Sequence, residues 1–306
     1  MARKQVRVGT RGSALALEQS RWVVEQLRAA NPGVDFRLVK IKTQGDIIQH
    51  LSLDKIGGKG LFVKEIEKAL LDGGVDLAVH SLKDLPTDIP AGLSLGAISR
   101  REDPRDVLVS HKWGSLDELP RGARVGTSSL RRVAQLLHYR PDLEMVPLRG
   151  NINTRLRKLE EQQLDGIVIA AAGLIRMNLR HRVRQWLPLE IILPAVGQGA
   201  LAIEVRGGDR DILALVSPLH DPPTALAVRA ERAFLGRLGG GCQVPVGALG
   251  EWQDGLLRLQ GMVAHPDGSR LFRSEASGSP EDPEGLGRRL AEELLARGAS
   301  EVLAGP

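Results

Sequence analysis

Apolar and polar positions along this chain alternate between two periods, and the alternation predicts its architecture. Val6-Arg7-Val8-Gly9-Thr10 has the period of a strand. Beyond the turn Arg11-Gly12-Ser13, residues Ala16, Val23 and Leu27 fall on one face at helical spacing. The same order returns later: Arg124-Val125-Gly126-Thr127 reads as a strand, and a helix opens at Ser128-Ser129-Leu130-Arg131-Arg132. A second echo supports the first. A helix over 60–71, with Phe62, Ile66, Ala69 and Leu70 on one face, stops at Asp72-Gly73-Gly74 before a strand over 76–80. A helix over 154–163 stops near Asp165-Gly166 before a strand over 167–170. Such alternation predicts an α/β protein. The echoes predict two lobes of one plan, with chance similarity as the competing reading. Equivalent strand-to-helix turns would set two helix N-termini around one cleft, where free N–H groups and Ser or Thr side chains bind anions.

Turn signals at Arg101-Glu102-Asp103-Pro104, at Leu193-Pro194-Ala195-Val196-Gly197 and across 217–223 divide the chain. The last opens a distinct segment. It holds a helix over 224–238, the turn Gly239-Gly240-Gly241-Cys242, and strands near 256–264 and 271–276. A final helix has Asp282 as cap, Pro283 in its first turn, Leu286, Leu290 and Leu294 inward, and its end at Gly298.

At 306 residues the chain has room for two to three domains, and 42% hydrophobic against 26% charged residues suits a globular core. No apolar run approaches the ~20 residues of a membrane helix, and no apolar stretch follows the basic start as in a signal peptide. A cytoplasmic protein is expected. The 42 basic and 37 acidic residues leave +5, which favours anionic partners. Nucleic acid is disfavoured, because aromatics are only 3% and no tail concentrates the charge. Thirty-two of the basic residues are arginines, whose planar forks fit carboxylates two donors at a time. Genome composition or heat adaptation would also explain many of them.

Three motifs invite chemistry. His80-Ser81-Lys83-Asp84 stands just past a predicted parallel strand, where open α/β sheets place ligands. Neighbours on a strand face opposite ways, and the chain has no G-x-S-x-G elbow, so a hydrolase triad is not expected. Asp84 reads either as a general acid and charge stabiliser or as a loop carboxylate paired with Lys83. Gly197-Gln198-Gly199-Ala200-Leu201-Ala202 fits a dinucleotide fingerprint, but a strand rather than a helix follows it. A nucleotide site is therefore rejected, and no cluster has metal-ligand spacing. Cys242, the single cysteine, is either a small buried hydrophobe or, exposed by its glycine-rich turn, a covalent attachment point.

The chain closely resembles the porphobilinogen deaminase (hydroxymethylbilane synthase) family. The likeness rests on 10–17 (Thr-Arg-Gly-Ser-Ala-Leu-Ala-Leu), 57–62, His80-Ser81-Leu82-Lys83-Asp84, 101–106 (Arg-Glu-Asp-Pro-Arg-Asp) and 126–132. It continues through Leu148-Arg149-Gly150-Asn151, 193–199 and Gly240-Gly241-Cys242-Gln243-Val244-Pro245, in family order. One departure is Gln44, where the family usually has arginine, so any ion pair of that arginine is in doubt.

The resemblance implies two α/β domains like type II periplasmic binding proteins around a cleft, plus a small α/β C-terminal domain. The implied boundaries are 1–99 with 195–217, 100–194, and 222–306. It implies a monomeric transferase of porphyrin biosynthesis, without a metal, that joins four porphobilinogens head to tail with loss of ammonia. The product is hydroxymethylbilane, and the cofactor is a dipyrromethane primer joined by a thioether to Cys242. Primer plus four substrates is six pyrroles with twelve carboxylates, which demand cationic partners once buried. By motif, the primer falls to Ser81, Lys83, Asp84, Thr127, Ser129, Arg131, Arg132 and Arg149. Substrate carboxylates fall to Arg11, Ser13, Lys59, Arg149, Arg155, Arg176 and Gln198. Asp84 becomes the catalytic group, stabilising the cationic pyrrole left when ammonia departs and moving protons. The segment 47–60, with Gly57, Gly58 and Gly60, is expected to be a mobile lid that presents Lys59. The competing reading is an anion- or solute-binding module of the same fold, without catalysis.

Overall fold

The computed structural model describes residues 5–43, 63–239 and 244–303. Gln44, the expected lid with Lys59, and Cys242 lie outside the described residues. The chain divides into two units, Met1–Arg101 with Ala200–Ala225, and Glu102–Gly199 with Leu226–Pro306.

In chain order the elements begin with β1 (Gln5–Arg11), α1 (Ala14–Ala30), β2 (Asp35–Ile41), α2 (Lys64–Leu71), β3 (Leu77–Ser81) and β4 (Leu93–Ile98). Next come β5 (Asp106–Val109), β6 (Arg124–Gly126), α3 (Leu130–Tyr139), β7 (Glu144–Val146), α4 (Ile152–Glu161), β8 (Gly166–Ala170), α5 (Ala171–Arg176) and β9 (Gln185–Trp186). The chain closes with β10 (Leu201–Arg206), α6 (Arg210–Val216), α7 (Pro222–Arg237), β11 (Val246–Gln253), β12 (Leu256–Ala264), β13 (Leu271–Gly278), α8 (Pro283–Leu294) and α9 (Ser300–Leu303).

The first unit holds one five-stranded sheet in the order β2-β1-β3-β10-β4. Strands β2, β1 and β3 run parallel, and β10 is antiparallel to both of its neighbours. The second unit repeats this plan as β7-β6-β8-β5-β9, with β5 as the antiparallel strand. The echo in the sequence is thus a repeat of topology. Each antiparallel strand lies beside a crossover: β5 follows the 101–104 turn, and β10 follows the 193–199 segment. Every residue of β5 is buried, as expected of a strand covered on both faces.

Helices cover the two faces of each sheet. Val23 and Leu27 of α1 pack on Val6, Val8 and Phe36, while Ile66 and Leu70 of α2 pack with Val75 and Ala78. In the second unit Leu156 and Leu159 of α4 bury against Ile167 and Ile169, and Leu136 of α3 joins Leu108 and Val168. That unit also contains the antiparallel sheet β11-β12-β13, whose core unites Phe234 of α7 with Leu257, Leu259, Leu286, Leu290 and Leu294. Asp282 caps α8 as read, accepting from the Gly285 N–H at 2.9 Å. Strand β11 was not read from the sequence. Its first five residues are all buried and include two glycines, so no alternating pattern marks it.

An ion network centred on buried Asp76 fastens the first sheet. Asp76 accepts from the Arg7 backbone N–H at 2.8 Å, from Arg7 Nε and Nη2 at 3.1 and 3.0 Å, and from Arg206 Nη2 at 3.2 Å. Burial raises the carboxyl, yet Arg7 and Arg206 hold it below the usual carboxylate range. A depressed folded-state pKa adds stability above the unfolded-state value, and that stability is lost as pH falls through the folded-state value. Asp76→Asn should therefore cost about 2–3 kcal/mol near pH 7. In urea unfolding the gap to the parent should shrink below pH ~4; a gap independent of pH would show that charge is not its source.

Candidate binding and catalytic site

In the first unit the strand-to-helix turn after β1 carries Arg11 and Ser13. Ser13 is the N-cap of α1, its hydroxyl accepting from the Ala16 N–H at 3.3 Å. Beneath it, buried Thr10 accepts from Ser20 Oγ at 2.7 Å and fixes the helix start against the strand. His80 ends the strand as expected, and Ser81, expected just beyond it, extends β3 by one residue; the two face opposite sides of the sheet. His80 is buried with its Nε2 3.0 Å from Glu204 Oε2, whereas Ser81 Oγ pairs with the Gln19 amide at 2.8 Å. A single 3₁₀ turn, Leu82–Asp84, then leaves the sheet. Buried Leu82 anchors the turn and its N–H donates to Ala200 O at 3.0 Å, so Lys83 is half-buried and Asp84 exposed at a fixed place.

The second unit has the equivalent turn after β6. Gly126 is required there, because a Cβ would come within 2.8–3.0 Å of Leu164, Ile167 and Leu148. Thr127 is buried, and its Oγ1 accepts from the Ser129 N–H at 3.3 Å. Ser129 stands at the N-cap of α3 without a side-chain cap bond, unlike Ser13. The motif 148–151 divides its tasks. Leu148 is buried, Gly150 turns at φ +115°, and Asn151 caps α4 by accepting from the Thr154 N–H at 2.9 Å. Arg149 and Arg155 flank that turn, with Arg155 Nε donating to Gly150 O at 2.8 Å.

Arg131 and Arg132 are consecutive on α3 and converge on one carboxylate. Arg131 Nη1 lies 2.8 Å from Asp106 Oδ2, and Arg132 Nη2 lies 2.7 Å from Asp106 Oδ1. Asp106 is 0% exposed and each arginine 5%. Burial pushes Asp106 up, but the two guanidinium charges overcome it and hold the group well below the carboxylate range. Burial, and then the charge of Arg132, lowers Arg131, while Asp106 opposes both. The trio carries two positive charges against one negative. Arg132 Nε is buried and finds no hydrogen-bond partner among the described residues. Arg131 Nη1 also donates to Leu193 O at 2.6 Å, and Arg176 Nη2 donates to Gly199 O at 2.7 Å. Burial pushes Arg176 down to about 10 against the pull of Glu102, which leaves it a cation at neutral pH.

An excess of buried positive charge with a spare donor suits an anionic ligand bearing carboxylates. Residues 6–214 match the family model described as porphobilinogen deaminase, dipyromethane cofactor binding domain, and residues 225–296 match that of the C-terminal domain. The chain belongs to the porphobilinogen deaminase family. The porphobilinogen deaminase of Pelotomaculum thermopropionicum is 57% identical over 301 residues, 98% of this chain and 96% of the relative. That of Brevibacillus brevis is 56% identical over 301 residues, 97% and 96% of the two chains. Among solved structures, a periplasmic substrate-binding protein of an ABC transporter from Coxiella burnetii aligns over 74% of this chain and 96% of its own. Its TM-score is 0.45 at 17% identity. A porphobilinogen deaminase of this kind uses a dipyrromethane cofactor, and the Arg131–Arg132–Asp106 trio fits its carboxylates by charge and by the spare Nε.

Reading the sequence alone assigned no role to Asp106, although it closes the 101–106 motif. Gln198, expected on substrate, is 1% exposed, and its Nε2 donates to Pro104 O at 2.7 Å and to Asp106 Oδ1 at 3.0 Å. Glu231 of α7 was also missed. It is buried and accepts from the Gly197 and Gly250 N–H groups at 2.7 and 2.8 Å, tying the 193–199 segment to β11. No helix among the described residues is long and apolar enough to cross a membrane.

Proposed function

We propose that this chain condenses four porphobilinogens head to tail, with Cys242 carrying the dipyrromethane primer, and that water then cleaves the chain from the primer and ends it as hydroxymethylbilane. The reaction belongs to tetrapyrrole biosynthesis and takes place in the cytoplasm. The observation that carries the reading is the buried trio with one charge to spare, within the region matched to the cofactor-binding domain. When bound, the primer supplies a free pyrrole α-carbon for the first condensation. Each condensation breaks the aminomethyl C–N bond of porphobilinogen and releases ammonia. The same carbon then bonds to the α-carbon of the waiting pyrrole, which gives up its proton.

The residues divide this work. Arg131, Arg132 and Arg149 hold primer carboxylates, with Thr127, Ser129, Ser81 and Lys83 as further donors. Arg11, Arg155, Arg176, Lys59 and Ser13 receive acetate and propionate groups of substrate. Asp84 is the catalytic residue. Its exposed carboxylate, on a turn anchored by Leu82, faces pyrrole N–H groups, stabilises the cation left by the departing amine, and returns the released proton.

Intact mass and ammonia release test the reading together. The purified chain should exceed its sequence mass by two porphobilinogen-derived pyrrole units and should liberate ammonia from porphobilinogen. A binding module without catalysis would show neither.

A further inference from the structure

We propose that Asp106, held by Gln198, is the positioning residue that aims Arg131 and Arg132 at the primer. This rests on the assignment of those two arginines to the primer. Successive residues of an α-helix leave the axis about 100° apart, so neighbouring arginine forks do not meet by default. Here they meet because one carboxylate offers an oxygen to each, at 2.8 and 2.7 Å. Asp106 is wholly buried on β5, a strand paired on both sides, and has little freedom of its own. Gln198 adds a donor at 3.0 Å to the oxygen that serves Arg132, and its bond to Pro104 O ties the same amide to the strand's approach. Secondary anchors complete the aim: Arg131 reaches Leu193 O at 2.6 Å and Arg132 reaches Val168 O at 3.2 Å. Arg132 Nε and one net positive charge remain for a ligand carboxylate.

Two roles for Asp106 make opposite predictions. If it only offsets charge, its removal leaves two uncompensated arginines that should take up an anion more readily. If it positions them, its removal lets the forks separate, and misplacement on the order of 1 Å costs about 10²-fold.

The test is primer loading, read by intact mass rather than turnover. Full-length chain, expressed in cells that make no porphobilinogen, is incubated with porphobilinogen, and the gain of two pyrrole units is timed. Asp106→Asn should load ~10²-fold more slowly than the parent while still melting cooperatively. Asp106→Glu, which restores the charge on a longer arm, should recover part of the rate. Loading of Asp106→Asn at or above the parent rate would overturn the proposal and leave Asp106 a structural counter-charge. If Asp106→Asn does not fold, Gln198→Leu decides. It keeps the carboxylate but removes its donor, and loading should slow by roughly 5-fold, the worth of about one hydrogen bond; parent-rate loading overturns the proposal. A parent chain that gains no mass fails the functional reading itself, and the inference falls with it.

Discussion

Cys242→Ser is expected to abolish both the primer and the activity while leaving a folded chain. A thioether needs a sulfur nucleophile, and Cys242 is the only one this sequence offers as a cysteine. A free thiol has a pKa near 8.5, so a few per cent is already thiolate at neutral pH, whereas a serine hydroxyl needs an adjacent base. The exchange of oxygen for sulfur is nearly isosteric, so the effect should fall on chemistry rather than on packing. Ehrlich's reagent, which colours free pyrrole α-positions, should stain the parent and leave the variant blank. Equal staining, or equal mass excess in both, would remove Cys242 from the role. A second effect follows from the two arginines of α3. Without primer carboxylates the extra charge of Arg131 and Arg132 stays uncompensated, so the variant should melt below the loaded parent and level with the unloaded one.

The parts of the fold legible in the sequence were those written in local pattern. Strand β1 with α1, and β6 with α3, announce themselves by a short strand that runs Val-Gly-Thr, a glycine at closest approach, and a Ser at the helix start. What stayed hidden was non-local. Nothing within β5 or β10 says that each inserts antiparallel into a sheet of otherwise parallel neighbours, because strand direction is decided by the path between elements. Strand β11 was missed for a different reason, since five successive buried residues with two glycines among them have no period to detect.

The site divides along the same line. Arg131, Arg132, Arg149 and Asp84 are proposed for the site because the motifs that carry them are continuous. Asp106 drew no role and Gln198 was expected on substrate, because what they pair with lies far away along the chain: 26 residues separate Asp106 from Arg132, and 92 separate it from Gln198. A motif lists residue types, and only tertiary pairing shows that one carboxylate serves two arginines. The 101–106 motif is continuous, yet only the pairing of its last residue with Arg131 and Arg132 gives that residue a place in the buried trio.

Asp84→Asn and Arg149→Leu are expected to fail in different ways, and the contrast tests the mechanism most directly. Arg149 flanks the turn made by Gly150 and capped by Asn151, and as a cation it is proposed to hold carboxylates. Arg149→Leu should therefore impair primer loading and chain extension, with a raised KM, while the bond-making group remains intact. Asp84 would repel a carboxylate and is proposed to act on pyrrole nitrogen and the leaving amine. Asparagine keeps its size and a hydrogen-bonding oxygen, but it has neither the negative charge nor a transferable proton. The Asp84→Asn chain should still gain the mass of two pyrroles and bind porphobilinogen, yet release ammonia ~10²-fold or more slowly, with KM little changed. Its stability should stay close to the parent's, because Asp84 is exposed and the turn is held by Leu82 instead. Near-parent ammonia release from Asp84→Asn with the primer in place would make that carboxylate structural. The proton transfers assigned to it would then have to come from another group.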